Sequence, residues 1–377
     1  WVARMIIAGY EYRGEAPFKN VYYTGIVRDE QGRKMSKSLG NSPDPIELME
    51  KYGADGVRVG MLLTSPAGND LPFDEKLCEQ GRNFANKIWN AFRLTQGWEV
   101  DEAREQVASS TVAVEWMESR IHEVVGELEG QFAEFRLSEA LMSTYRLVWD
   151  DFCSWYLELI KPPYGEPIDR KTMEATVTIF EDLLKLLHPF MPFLTEEIWH
   201  WIRERSNASE AICLAIWPEK KPNNASLLQE FIPFQQVVAE IRTIRKNNQI
   251  PQREGLELKI QQGAGYPQAL ESAMIKLTNL SSVERVEEKV PNAFGFVVGT
   301  TSFFIPFGAA VDVDAEKAKI QKEVDHLNGF LKSVRGKLSN ERFVQNAPDN
   351  VVSMERKKES DALAKLQVLE TKLVELG

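Results

Sequence analysis

Apolar residues recur every three or four positions through most of this 377-residue chain, and the breaks in that period divide it. Trp1 to Ala8 reads as a short apolar helix ending near Gly9. Asn20 to Val27 is rich in β-branched and aromatic residues, which predicts a buried strand. A polar turn over 29–32 leads into the loop Arg33-Lys34-Met35-Ser36-Lys37-Ser38-Leu39-Gly40-Asn41. Asp44, Pro45 and Glu47 then spell a helix start: a capping carboxylate, a proline at the first helical position and a capping box. Gly53 ends that helix, and another covers about 54–63. From Glu75 to Gln96 an amphipathic helix puts Phe84, Ile88, Ala91 and Thr95 on one face and Arg82, Asn86, Asn90 and Arg93 on the other.

After a connector at 99–110, the helical period holds over 113–129, 136–160, 170–188 and 192–205. The breaks at Lys161-Pro162-Pro163 and His188-Pro189 make this a helical bundle. A Pro/Asn linker at 207–226 precedes one more helix, Leu227 to Asn247. Short strands near 256–261, 283–287, 294–298 and 302–306, with a helix at 267–279, form a small α+β module. From Asp314 the spacing changes again. Ile320, Val324, Leu327, Leu331, Val334 and Leu338 alternate by four and three, the heptad signature. Residues 340–350 interrupt it, and Leu366, Leu369, Leu373 and Leu376 resume it on a second helix. Two such helices joined by one turn predict an antiparallel coiled-coil hairpin.

Charge and cysteine usage narrow the function classes. The net charge of −11 argues against indiscriminate nucleic-acid binding. Its distribution is uneven: residues 315–377 hold 12 Lys and Arg against 10 Asp and Glu, net +2, which leaves −13 on the rest. No apolar run approaches the ~20 residues of a membrane helix. Cys78, Cys153 and Cys213 lie far apart, which argues against a disulfide framework or a zinc site, fits a reducing cytosol and reads as small buried hydrophobes. A chain that opens on Trp1, already inside an apolar pattern, reads as a fragment.

The chemistry concentrates in Lys34-Met35-Ser36-Lys37-Ser38. Two ammonium groups and two hydroxyls sit on a loop just past a predicted strand, where open α/β sheets bind ligands. Lysine is a mobile point charge suited to phosphate, and two can stabilise charge that builds as pyrophosphate leaves. The pentapeptide alone would also suit a solvated basic loop. Its context is more specific: Gly25-Ile26-Val27-Arg28-Asp29, Gly32-Arg33, Leu39-Gly40-Asn41, Asp44-Pro45, and Tyr52-Gly53-Ala54-Asp55 with Arg58. That order and spacing resembles the signature loop of class I aminoacyl-tRNA synthetases of the subgroup charging Val, Ile and Leu.

The resemblance implies that the loop closes over ATP, bound with Mg²⁺ as a substrate. Lys37 would contact the nucleotide, Lys34 would be its companion, and Met35, Ser36 and Ser38 would complete the site. The family's Asp-Ala-Leu-Arg is here Asp55-Gly56-Val57-Arg58, which costs helix propensity but keeps both charged ends. Trp1 and Met5 match a segment near the family's amino-acid and adenylate pocket. Asn83 to Asn90, and Leu187 to Phe193 with Thr195 to Trp199, look like its stem-contact and anticodon-binding helices. The face of Arg82, Asn86, Asn90 and Arg93 then either touches RNA or is simply solvated. Isoleucyl enzymes end in a cysteine-ligated zinc module, which three scattered cysteines cannot build. The segment from Lys317 through Val352 instead resembles the C-terminal coiled-coil arm of valyl-tRNA synthetases. There Lys332, Arg335, Arg342, Arg356, Lys357 and Lys358 suit contact with the tRNA backbone.

On this resemblance the fold class is mainly α, in five parts. Residues 1–41 are the end of a Rossmann-type α/β catalytic domain, and 42–105 are stem-contact helices. Residues 106–222 are a helical anticodon-binding domain, 223–311 an α+β junction module, and 312–377 the tRNA-binding arm. The implied partners are valine, ATP and tRNA(Val), in a cytoplasmic and monomeric parent enzyme without zinc. None of His122, His188, His200 and His326 sits in the family's His-x-Gly-His motif, and no segment matches its editing domain. The chain is therefore expected to be inactive alone. Two other readings stay open: a non-catalytic tRNA-binding module, and an isoleucyl or leucyl synthetase.

Overall fold

A computed structural model describes residues 1–63, 69–205, 208–261, 268–306 and 313–339, with 354, 356, 358, 359, 362, 363 and 366. The chain forms two compact units, Trp1–Leu228 and Gln229–Gly377.

In the first unit, α1 spans Val2–Arg13 and is longer than the expected apolar helix. It runs through Gly9 because Gly14, at φ 73°, caps it. The strand expected over 20–27 shrinks to β1, Val27–Arg28. Tyr22, Tyr23 and Ile26 before it are exposed. A strand needs neighbours to satisfy its backbone, and among the described residues β1 has one parallel partner, β2, Leu71–Pro72, and one antiparallel bridge, from Arg28 to Lys34. Between them lie α2, Pro45–Tyr52, and α3, Ala54–Leu63. Asp44 caps α2 as expected by accepting from the Ile46 amide at 2.8 Å. α4, Glu75–Gln96, buries Phe84, Ile88, Ala91 and Thr95, the expected face. α3 and α4 cross backbone to backbone. A Cβ on Gly81 would stand 2.2 Å from the Gly56 carbonyl oxygen. The glycine that departs from the family pattern is thus the residue on which the two helices touch.

After β3, Val100–Asp101, the bundle follows. α5 covers Ala108–Ala133, so part of the expected connector is helix. The predicted helix over 136–160 is α6, Leu137–Arg146, a π-helical stretch Leu147–Tyr156, and α7, Leu157–Ile160. A helix bonded i to i+5 turns less per residue, so residues four apart come near alignment. The rings of Tyr145 and Trp149, and of Phe152 and Tyr156, accordingly stack, at 8° and 20° between planes. β4, Ile168–Asp169, pairs in parallel with β3, and α8, Arg170–Leu187, and α9, Pro192–Ile202, complete the bundle. Cys78 and Cys153 are buried as expected. Cys213 is exposed, because in the turn Ile212–Leu214 its neighbour Ile212 takes the inward position.

The second unit takes up α10, Ala225–Asn247, after its first turn. Next come β5, Leu256–Gln261, α11, Glu271–Thr278, β6, Leu280–Val286, β7, Ala293–Val298, and β8, Thr301–Pro306. The sheet order is β6-β5-β8-β7. β5 and β6 are parallel, and α11 forms the crossover that a parallel pair requires. Arg245, 1% exposed, holds the module together from within. Its guanidinium donates to the carbonyls of Pro251, Glu254, Thr278 and Asn279 at 2.8–3.1 Å. α12, Val313–Leu338, buries Val324, Leu331 and Val334 at the predicted heptad positions. Ala362 is buried too, and Arg335 pairs with Glu359 at 2.7 Å. Of the second-helix seam only Leu366 is among the described residues; Leu369, Leu373 and Leu376 lie outside them.

The glycines of this fold predict opposite outcomes for one substitution. Gly81→Ala forces apart two backbones and should lower stability by about 1–3 kcal/mol. Gly130→Ala, inside α5 with nothing within 4 Å, should raise it by about 0.5–1 kcal/mol. Urea midpoints of the two variants moving the same way would refute this account of the α3–α4 crossing.

Candidate functional site

The loop begins as a miniature hairpin. Val27 to Asp29 runs out, Gly32 turns the chain at φ 75°, and Arg33 to Met35 returns. The Met35 amide donates to the Val27 carbonyl at 3.0 Å, and the Asp29 amide to the Arg33 carbonyl at 2.9 Å. Asp29 builds the turn. Its carboxylate accepts from the amides of Gln31 and Arg33 at 3.1 and 2.8 Å, and from the Arg33 guanidinium. It also accepts from the Asn41 side-chain amide at 2.9 Å. The bond from Asn41, and then that from Arg33, hold the Asp29 carboxyl well below the usual carboxylate range. The second half of the loop is one tight turn, Lys37–Leu39, ended by Gly40 at φ 63°. Ser36 caps it, its hydroxyl accepting from the Leu39 amide at 3.3 Å. The Ser36 and Ser38 hydroxyls stand 3.2 Å apart.

Lys34 lies on the hairpin and Lys37 on the tight turn. Both side chains are exposed, and neither forms an ion pair with a described residue. Met35 and Ser36 are half-buried. The arrangement offers two positive charges, the Ser38 hydroxyl and open space, which suits a polyanion. Trp1 and Met5 lie at the start of α1, 87% and 52% exposed, with the Arg4 guanidinium 4.0 Å from the Trp1 ring centre.

From this loop the chain passes through α2 into α3, which grips the bundle. Asp55, 7% exposed, accepts from the amides of Leu194 and Phe193 at 2.7 and 3.4 Å. It therefore caps α9, whose own cap residue Met191 supplies no side-chain bond. One turn on, Arg58 donates to the carbonyls of Pro189 and Phe190 at 3.0 and 3.1 Å. Burial raises the Asp55 carboxyl above its ordinary value, against the lowering by those two amides and by Arg58. Burial likewise lowers His188, whose Nδ1 lies 2.7 Å from the Thr195 hydroxyl. Sequence reasoning kept Asp55 and Arg58 as charged ends without a partner, because the partner lies more than 130 residues away.

The predicted polar face of α4 is outward. Asn86, Asn90 and Arg93 are exposed, and Arg82 is half-buried, 3.4 Å from Glu79 and over the Tyr52 ring. Arg93 borders a groove of about 410 Å³ whose lining includes Trp98, Lys161 and Tyr164. On the arm Lys332, Arg335, Arg356 and Lys358 are exposed, while Arg342 and Lys357 lie outside the described residues. No helix among the described residues is long and apolar enough to cross a membrane.

Three family descriptions match the chain. Residues 1–74 match tRNA synthetases class I (I, L, M and V), 114–260 match the anticodon-binding domain of tRNA ligase, and 312–377 match the valyl tRNA synthetase tRNA binding arm. Valine--tRNA ligase of Christiangramia forsetii is 53% identical over all of this chain and 43% of its own length. That of Bacillus subtilis is 36% identical over all of this chain and 44% of its own. The chain thus spans less than half the length of these relatives. A LeuRS–tRNA–LeuAMS complex from Agrobacterium radiobacter superposes on 58% of this chain and 26% of its own with TM-score 0.43 and 20% identity, too slight a likeness to argue from.

The grip of α3 predicts a stability loss with a pH signature. Asp55→Ala strands two amides at the start of α9 and should cost about 1–3 kcal/mol. Asp55→Asn keeps an acceptor and should cost less. The native carboxyl sits above the ordinary 3.8, so the folded chain takes up its proton at higher pH than the unfolded chain. The stability of the unsubstituted chain relative to Asp55→Asn should therefore rise as pH falls towards 3.8 and be lost as pH rises through the native value. A margin flat across that window would remove the titrating group from the account.

Proposed function

We propose that this chain forms part of a valine–tRNA ligase, a reading supported by the match of residues 1–74 to class I tRNA synthetases (I, L, M and V) and by 53% identity to the valine--tRNA ligase of Christiangramia forsetii. In that reaction the valine carboxylate attacks the α-phosphate of ATP and displaces Mg²⁺-bound pyrophosphate, and a hydroxyl of the terminal ribose of tRNA(Val) then takes the valyl group from the adenylate and releases AMP. The reading rests above all on Lys34 and Lys37, exposed and without ion-pair partners among the described residues, on a braced loop. Their charges meet the triphosphate and stabilise the negative charge that grows on pyrophosphate, while Ser36 and Ser38 flank Lys37 on the loop. No covalent nucleophile is needed, so positioning and charge carry the step. Trp1 and Met5 face the amino acid and adenylate in this reading. Residues 1–41 end the catalytic domain, 42–105 contact the tRNA stem, 106–222 read the anticodon end, and 223–311 join these to the arm at 312–377. We place the intact enzyme in the cytoplasm as a monomer.

Valine-dependent pyrophosphate exchange by the intact ligase tests the reaction, and the 377-residue chain alone should give only background. In the intact enzyme Lys37→Ala should slow exchange by ~10²–10³, by analogy with loss of an oxyanion donor, and leave KM for valine nearly unchanged. A raised KM with kcat intact would make Lys37 a ground-state contact instead.

The arm generates a separate expectation. Replacing Lys332, Arg335 and Arg356 together by Gln spares the buried Val324, Leu331 and Val334, so the arm should stay folded. Affinity for tRNA should fall, and its log–log dependence on salt should flatten by about 0.7–0.9 for each phosphate no longer bound. Equal affinities and slopes across a salt series would show a merely solvated face.

A further inference from the structure

The two lysines stand on different pieces of backbone. Lys34 belongs to the hairpin Val27–Met35, and Lys37 to the tight turn that Ser36 caps. The hydrogen bonds of Leu39 and Gly40 stay inside that turn, as does the contact of the Ser36 and Ser38 hydroxyls. Among the described residues, one side chain joins the two pieces by hydrogen bonds. The Asn41 carbonyl accepts from the Ser36 amide at 2.9 Å. Its amide donates to the Asp29 carboxylate at 2.9 Å and to the Lys34 carbonyl at 3.3 Å. Asn41 thus touches the first residue of the turn, the backbone of one lysine and the acid that shapes the hairpin.

We propose that Asn41 is a positioning residue that sets the separation of Lys34 and Lys37, so that the loop meets a triphosphate with both charges already placed. This rests on the phosphate reading of the loop. Its amide oxygen and nitrogen are occupied by the loop itself, so Asn41 acts through the lysines and not on the nucleotide. Fixing the two pieces beforehand removes ordering cost from the binding step. An acid at position 41 cannot do the same work. Aspartate would keep an acceptor for Ser36 but would set a second carboxylate against Asp29 and face the Lys34 carbonyl without a donor.

The test uses the intact ligase, carrying Asn41→Asp or the exchange Asn41→Asp/Asp29→Asn within this chain. Amide hydrogen exchange reads the clasp. At pH 7.5, Asn41→Asp should lower protection over Ser36–Gly40 about tenfold, the worth of one or two net hydrogen bonds, and leave Asp29–Met35 unchanged. Two carboxylates in contact share a proton more readily as pH falls, so protection factors should recover near pH ~5. The double exchange should restore them in part at pH 7.5, because it puts a donating amide at position 29 against the carboxylate at position 41 while the Lys34 carbonyl still lacks its donor. Acylation of single lysines, with Mg·ATP as competitor, reads the purpose. In the unsubstituted chain Mg·ATP should shield Lys34 and Lys37 at one common midpoint. In Asn41→Asp the Lys37 midpoint should move about tenfold above that of Lys34. The proposal is overturned if exchange is unchanged, if both halves of the loop loosen together, if the double exchange restores nothing, or if the two midpoints stay equal. Failure of Mg·ATP to shield either lysine in the unsubstituted chain overturns the phosphate reading, and with it the purpose given to Asn41, whatever exchange shows.

Discussion

Where α8 ends and α9 begins, the backbone reverses within a few residues, and helix ends leave amides and carbonyls without internal partners. Here the partners come from α3. Asp55 takes the first amides of α9, and Arg58 takes the carbonyls of Pro189 and Phe190. A buried carboxylate is tolerable at this point because the start of a helix carries partial positive charge and Arg58 stands one turn away. The bundle and the segment that carries the loop are thus tied at a place where neither satisfies its own backbone.

That tie depends on how closely helices can approach. α3 lies on α4 through Gly56 and Gly81, where a single methyl group would collide with backbone. Gly56 looks from composition like a loss of helix propensity, and in the packing it is what lets the two axes cross. The close packing offsets about 1 kcal/mol of propensity.

Local chemistry was legible in the chain. The cap at Asp44, the buried face of α4 and the heptad positions of α12 are written in residues a few positions apart, and the structure bears them out. The loop could be located in the sequence, and in the structure its two lysines are exposed. The strand over 20–27 failed because β-branched composition says nothing of whether a neighbour is present to pair with. The π-helical stretch 147–156 escaped because apolar spacing near 3.6 cannot separate i+4 from i+5 bonding. The role of Asn41 was not legible: the sequence marks a polar turn at 29–32 and places Asn41 at the end of the loop, but which groups its amide meets depends on the fold. The partners of Asp55 and Arg58 were beyond reach, since nothing near them in sequence names Leu194 or Pro189.

That separation also has a meaning in time. A chain grows from its N-terminus at about 5–20 residues per second. α3 and its two charged side chains are therefore made roughly 7–28 seconds before the α8–α9 turn that will satisfy them. Through that interval Asp55 and Arg58 keep their water, and α3 packs first against α2 and α4 and then against α6, where the Ser138 hydroxyl donates to the Leu62 carbonyl at 2.7 Å. The first unit then closes when residues near 194 emerge, so the stretch that carries the loop acquires its final footing late in synthesis, from the distal side of the unit.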